Sequence, residues 1–390
     1  MSSIHRKVKF RAFLTALSCI VLLHSFTTPA EAYERNGIKW PFPTQIISAY
    51  TDVTGNYSTA LNQAITNFNT STQVHLSRHD GAPWVAQVQN YGAVDWEGMS
   101  KTNTGNGVYT VTWARSKVNT AYIPASTAVS RIKILWLHEL CHVWGLGHTT
   151  NPRTVMYWNV ATPYANGISS LTSDEINGIN SIYRKGAIMK RTKAIGVAIA
   201  ILICATCTLS ACSTDTTQAQ ADDGTSSSHG QTNGSTSTEF SRVKLYETLD
   251  DLAADSSLIV IGTAEAVEVT HDIDGLTPFS VFNVAVSEVL KGDVAVGDTV
   301  VMRQTGGEGD PGVLEDGQTA LLYLTPTGLD GELASQYYPV GVTAGVYVLD
   351  GDVAALSADN DSAATFSHTV TDTGDSIPNV LSLEEAKDSL

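Results

Sequence analysis

The spacing of apolar positions in the first half of the chain predicts a mixed domain. Short alternating runs at 44–50, 72–78 and 107–113 predict strands, because a period of two places apolar side chains on one face of a sheet. Apolar residues three or four positions apart predict helices over 57–70 and from about 127 to 144. We therefore expect an α+β domain, a twisted sheet with a few helices, between residues 33 and 188.

The last part of the chain has a different pattern, with runs rich in Val, Ile and Thr between Gly and Asp turns. Short apolar runs separated by turn residues are typical of the strands in a small all-β fold. We expect a barrel or sandwich over residues 241–390, and an OB-like barrel is one form that fits. A short amphipathic helix is predicted first, over 243–256. The predicted strands are 257–269, 279–290, 297–305, 319–327 and 345–356.

Composition separates the two parts further. All seven Trp lie between Trp40 and Trp158. Residues 33–188 carry 11 Lys or Arg against 8 Asp or Glu, whereas residues 213–390 carry 5 against 30. The strongly acidic part would repel phosphates, so we expect no nucleic-acid partner.

The N-terminus predicts export. Basic residues precede an apolar run from Ala12 to Leu23, and Ala30-Glu31-Ala32 has the small-x-small form of a cleavage site. We interpret residues 1–32 as a signal peptide. The protein is then expected to be secreted or to lie at the outer cell surface.

A second leader-like segment occupies residues 189–211. Met189 and nearby basic residues precede an uncharged run, and Leu209-Ser210-Ala211-Cys212 resembles the lipobox of bacterial lipoproteins, which implies a lipid on Cys212. The alternative is a single transmembrane helix. Either would anchor the second half to a membrane, with residues 212–240 as a flexible tether. A further hypothesis is that two neighbouring exported proteins are read as one chain.

The residues between Trp136 and His148, WLHELCHVWGLGH, carry the clearest chemistry. His138 and His142 are four positions apart on a predicted helix, so both imidazoles lie on one face and can bind one metal ion. Gly145 allows the chain to turn, which lets His148 supply a third ligand. Three imidazoles with an open fourth position are typical of catalytic zinc, and Glu139 follows the first ligand directly.

His138, Glu139, His142, Gly145 and His148 match the HExxHxxGxxH pattern, and this part of the chain resembles the metzincin zinc metalloproteases. Met156 stands where the family has its Met-turn, and 171–183 is similar to the C-terminal helix of matrixin domains. Pro152 and these spacings favour the matrixin branch. The resemblance covers residues 33–188.

The resemblance implies a zinc metalloendopeptidase that acts on protein or peptide substrates. Glu139 would be the general base, and Met156 a structural floor beneath the zinc. Pro163 and Tyr164 are candidates for the wall of the specificity pocket. The His/Asp loop that holds a structural zinc and calcium in animal members is not recognisable. The only nearby candidates are His75, His79 and Asp80, so Ca²⁺ has no support. No cysteine-switch segment separates residue 32 from the domain, so the family's usual latency mechanism is expected to be absent.

Two functions from different classes remain open at this point. The first is the exported zinc endopeptidase. The second is a lipid-anchored surface binding protein over residues 213–390, fused to or misread with an inactive or separate protease. OB-like domains include the tissue inhibitors of metalloproteinases, but those depend on a disulfide-pinned N-terminal cysteine. Cys212 is the one candidate here, so the sequence does not predict an inhibitor.

Overall fold

The computed structural model describes residues 33–105, 109–184, 236–351, 364–371 and 373–390. The first half is a mixed α+β domain, as the apolar pattern predicts: one strand and one helix are followed by four consecutive strands and then by three helices. The strands are β1 (Thr44–Ala49), β2 (His75–Arg78), β3 (Trp84–Gln89), β4 (Trp96–Thr104) and β5 (Val111–Asn119). The helices are α1 (Gly55–Ser71), α2 (Val129–Val143), α3 (Ala161–Ala165) and α4 (Ser173–Ile182).

One six-stranded sheet forms the frame of this half, in the order β2-β1-β3-β5-β4-β6. The pairs among β2, β1, β3 and β5 are parallel, whereas β4 runs antiparallel to β5. The sixth strand, β6 (Thr236–Arg242), comes from the second half and pairs antiparallel with β4. The predicted tether reaches residue 240, and the structure has its last five residues in this strand.

The core beneath the sheet is built around aromatic residues. Trp84 on β3 stacks with Trp40 at a centroid distance of 5.8 Å and meets Trp144 edge-on at 5.5 Å. Tyr183, after α4, packs edge-on against Trp144 and accepts a hydrogen bond from the Trp40 amide at 2.9 Å. These contacts connect the sheet, the end of α2 and the C-terminal helix, so they fix the end of the domain that carries the histidine motif.

The second half contains a closed barrel. Strand β11 pairs with both β9 and β10, which closes the order β11-β9-β8-β7-β10 into a ring. Its interior is apolar, with Val260, Phe282 and Leu322 among the buried residues. The strands are β7 (Leu258–Thr270), β8 (Phe279–Lys291), β9 (Thr299–Thr305), β10 (Thr319–Pro326) and β11 (Tyr337–Pro339). The expected small β domain agrees with this barrel, while an OB-like topology stays a prediction.

Further short elements extend the barrel on one side. Three strands continue the sheet beyond β10, and two short helices cover a second apolar cluster that includes Leu252, Tyr323 and Leu381. The first of these helices lies within the helix predicted over 243–256, whereas the second was not predicted. The strands are β12 (Val346–Leu349), β13 (Thr365–His368) and β14 (Val380–Ser382); the helices are α5 (Leu249–Asp255), α6 (Leu383–Asp388) and a 3₁₀ turn, Gly331–Ser335.

The predicted leaders and the anchor fall outside this description. Residues 1–32, the segment 189–211 and the lipidation candidate Cys212 all lie outside the described residues. Within the described ranges no helix combines the length and the apolar character that crossing a membrane requires.

Candidate active site

Helix α2 carries the first part of the histidine motif and is buried along most of its length. It ends at Val143, and Gly145 then takes a positive φ of 106°. A Cβ at this position would lie 2.4 Å from the carbonyl oxygen of Ile38, so both the turn and the close approach require glycine. The turn directs the chain back across the helix and brings His148 to the face that carries His138 and His142.

The three histidines form one cluster whose ligand atoms all lie within 4.8 Å of one another. The Nε2 atoms of His138 and His142 are 3.0 Å apart. Their Nδ1 atoms lie 2.7 Å from the carbonyl oxygen of Val155 and 2.9 Å from that of Leu146. A backbone carbonyl accepts hydrogen bonds only, so each Nδ1 carries the proton and each Nε2 offers a lone pair to the cluster centre.

Burial keeps these imidazoles neutral. It lowers the pKa of His138 to about 4, and it lowers the pKa of His142 and His148 well below the usual value, with the neighbouring histidines adding to the effect. A divalent cation needs neutral imidazole ligands, so the cluster has the protonation state that metal binding requires.

Glu139 lies against strand β4. The Ser100 hydroxyl donates to the Glu139 carboxylate at 2.9 Å. Gly98, on the same strand, approaches so closely that a Cβ there would lie 2.3 Å from Glu139 Oε1. Burial is the main reason that the pKa of Glu139 is raised well above its usual value, and the charges of Glu239 and Glu97 act in the same direction. The carboxyl group is thus fixed in position and inclined to hold a proton.

The turn that contains Met156 is fixed by a residue that sequence reasoning missed. The buried Glu175 on α4 accepts hydrogen bonds from the amides of Val155 and Met156 at 2.9 and 3.4 Å. Its other oxygen closes a capping box with Thr172. The sequence does carry a signal for this helix cap, the pattern Thr-x-x-Glu from Thr172 to Glu175. Since Val155 also binds His138 Nδ1, Glu175 positions the first ligand through the turn.

The segment after Met156 packs on the histidine cluster through Trp158. Its indole stacks on the His148 imidazole with ring centroids 3.9 Å apart. Beside this pair lies a cavity of about 410 Å³ that His148, Trp158 and Glu239 help to line. Pro163 is buried in α3, and the Tyr164 hydroxyl lies 2.9 Å from that of Ser130. Their predicted role as a pocket wall stays a prediction.

The histidine cluster fits a zinc ion by the chemistry of its donors. His148 Nε2 and Glu139 Oε1 are buried and have no hydrogen-bond partner within the described part of the chain. Orphaned buried polar atoms beside two converging imidazoles are what removal of a cation would leave. Among the described residues this is the one group of three or more metal-binding side chains, and it does not include the calcium candidates His75, His79 and Asp80.

The comparison with protein-family models supports the same interpretation. Residues 11–184 match the family model of the matrixins, Peptidase M10. No curated protein sequence matches the chain. Among solved structures, a chain of the "GM1 bound form of the ECX AB5 holotoxin" matches with 13% identity, over 39% of this chain and 86% of that chain, at a TM-score of 0.28. The part of the chain that carries the histidine cluster is therefore a matrixin-like metzincin domain.

Proposed function

We propose that the first half of the chain is an exported zinc metalloendopeptidase, with His138, His142 and His148 as the metal ligands. The observation that carries the proposal is the convergence of three buried, neutral imidazoles beside a buried carboxylate. The matrixin match supports the assignment to peptide hydrolysis. Zinc at this site would supply a Lewis acid that polarises a scissile carbonyl and activates water.

Glu139 is the proposed general base. Its carboxylate is oriented by Ser100 and has one oxygen without a partner among the described residues, so that oxygen is available to take a proton from the attacking water. Burial raises the pKa of Glu139, and the positive charge of a bound zinc ion would favour the deprotonated form that a general base requires. Glu97 does not compete for this role, because it forms an ion pair with Arg131.

Met156 is proposed to have a structural role. The residue is buried, and its carbonyl oxygen accepts a hydrogen bond from the Thr149 amide at 2.9 Å. Its own amide is held by Glu175. This network keeps the turn against the ligand His138, whose ring orientation depends on the Val155 carbonyl. Met156 therefore contributes to the precision of the site without binding the metal.

The test uses full-length protein with Glu139→Gln. The amide keeps the size of the side chain and leaves the three histidines untouched, so we expect about one zinc per molecule, as in the wild type. Cleavage of an unstructured protein such as casein should fall at least about 100-fold, because proton transfer is lost. Ser173→Ala, on the exposed start of α4, is the matched control. A Glu139→Gln protein that cleaves casein at the wild-type rate would refute the assignment.

A further inference from the structure

Strand β4 is the edge of the matrixin-like sheet that lies beside the metal centre. It carries Ser100 and Gly98, both of which contact Glu139. Its other neighbour in this half is β5, so within residues 33–184 the second side of β4 has no partner strand. A free strand edge next to a peptidase site is where an extended peptide adds by backbone hydrogen bonding.

In the full chain β6 lies along this edge. Seven positions pair antiparallel, from Trp96 opposite Arg242 to Asn103 opposite Thr236. On its far side the same segment contacts the stretch after Met156, where the Arg242 amide donates to the Trp158 carbonyl at 2.9 Å. The strand thus lies between the sheet edge and the segment that packs on His148, in the position that an extended peptide substrate needs.

The centre of β6 reaches the metal ligands. Glu239 lies opposite Ser100, and its carboxylate is 3.8 Å from Nδ1 of His148. The backbone of the next residue, Phe240, hydrogen-bonds with His148. Glu139 is 0% exposed and His148 is 8% exposed. A second peptide reaches these groups only when β6 leaves the edge of β4, so the full-length protein keeps a reduced activity.

Both ends of β6 are held by the body of the second half. At its start, the Thr236 hydroxyl donates to Asp310 at 3.1 Å. At its end, the buried Arg242 forms hydrogen bonds with both carboxylate oxygens of Asp375, at 3.1 and 3.4 Å. The segment is therefore presented in an extended conformation by its own domain. Such preorganisation lowers the entropy lost on binding.

Contacts outside the strand fix the two halves together. The Lys117 ammonium lies 2.6 Å from Asp274, with the two side chains 2% and 0% exposed, and Lys101 lies 2.9 Å from Asp310. The Tyr91 hydroxyl also donates to Asp274 at 2.6 Å. In both ion pairs the first half supplies the cation and the acidic second half the carboxylate. An apolar cluster also contains residues from both halves: Tyr91, Val94, Trp96, Met99, Phe279 and Tyr338.

We propose that residues 236–390 are an inhibitor of the matrixin-like domain, with β6 as a substrate-like strand that blocks the cleft. The inhibitor role rests on the proposed peptidase function. It uses an internal strand, held at both ends, so the absence of a disulfide-pinned N-terminal cysteine does not count against it. The arrangement works in the same way whether the two halves stay on one chain or meet as separate proteins.

The first experiment tests the position of β6 without any reference to activity. Thr102 and Ser237 lie directly opposite each other, so cysteines there have the Cα separation of a disulfide. We would introduce Thr102→Cys with Ser237→Cys into the full chain with Cys204, Cys207 and Cys212 changed to Ser. Near-complete disulfide formation under mild oxidation is expected. The control pair, Thr102→Cys with Glu239→Cys, is two positions out of register and should form several-fold less.

The second experiment tests inhibition. Asp274→Asn with Asp310→Asn removes both ion pairs between the halves but keeps side-chain size, so β6 should leave the cleft more often. We expect kcat/KM for a peptide substrate to rise about tenfold or more over the wild type at unchanged zinc content. Asp255→Asn is the control, because it breaks an exposed ion pair with Lys244 inside the second half. Closing the Thr102–Ser237 disulfide in the activated protein should abolish the gain, and reduction should restore it.

The outcomes separate the two proposals. Failure of the in-register disulfide to form, or equal cleavage by the locked and the reduced protein, overturns the inhibitor. Efficient disulfide formation with bound zinc but no cleavage by any variant overturns the peptidase function instead. The inhibitor role is then also refuted, whereas the position of β6 along β4 is confirmed. Activation by the Asn pair that disulfide closure reverses supports both.

Discussion

Glu175 allows a quantitative test of how the turn that orients His138 is held in place. One carboxylate oxygen accepts hydrogen bonds from the buried amides of Val155 and Met156, and the other accepts from the Thr172 amide and hydroxyl, both at 2.7 Å. Glu175→Ala leaves the two buried amides unpaired, at about 1–3 kcal/mol each, and removes half of the capping box, worth about 1 kcal/mol. We expect a total loss of about 3–7 kcal/mol.

The seven Trp all belong to the first half, so tryptophan fluorescence reports its unfolding in the intact chain. For a domain of this size, the loss should lower the midpoint of thermal unfolding by about 10 °C. Because the same turn orients His138, zinc affinity should also fall by about tenfold, measured by competition with a fluorescent chelator.

Asp174→Ala is the matched control for Glu175→Ala. Asp174 is the adjacent carboxylate in the first turn of α4, and its loss should cost only the interaction with the helix dipole, about 0.3–1 kcal/mol. If Glu175→Ala unfolds within 2–3 °C of Asp174→Ala and binds zinc equally well, the proposed coupling between α4 and the first ligand is wrong.

Three further predictions follow from distances and charges in the structure. Gly98→Ala should reduce peptide cleavage by about 100-fold or more with zinc still bound, since its Cβ would displace Glu139; Gly105→Ala, whose Cβ meets its first neighbour at 3.7 Å, should cleave normally in the same assay. Lys117 holds the pKa of Asp274 well below its usual value of about 3.9, so this pair stabilises the fold above about pH 4, and the stabilisation is lost as the pH falls through the depressed pKa. The free energy of unfolding should therefore fall less steeply between about pH 4 and pH 2 in Asp274→Asn than in the wild type. Equal slopes in the two proteins would contradict the assignment. Removal of metal with a chelator should abolish cleavage and lower the unfolding midpoint of the first half, and zinc should restore both; cleavage that survives chelation would exclude a metallopeptidase.

The sequence predicts the histidine cluster well because its determinants are local. The spacing of His138 and His142 on one helix and the turn at Gly145 are properties of a single segment, and the structure brings the three histidines together as expected. The capping role of Glu175 could also have been predicted, from the pattern that begins at Thr172.

Strand β4, which borders the cleft, and strand β6, which is proposed to occupy it, were missed for a physical reason. Strand β4 reads WEGMSKTNT and lacks clean alternation, because it is covered on both faces and along its edge. Strand β6 reads TSTEFSR, which has the composition of a tether. Its structure depends on pairing with residues more than 130 positions earlier in the chain, and a local pattern carries no information about such a partner.

The pairing between β6 and β4 also limits which substitutions in either half could weaken the contact between them. Backbone hydrogen bonds are the same for every side chain, so any protease with a free edge at this position would accept an extended strand equally well. Discrimination then comes from side-chain contacts, and the buried pair of Lys117 and Asp274 is suited to it, because a protease without that lysine would leave a buried carboxylate without its cation. A peptidase domain under selection to escape this partner would therefore change position 117 and keep its substrate edge intact.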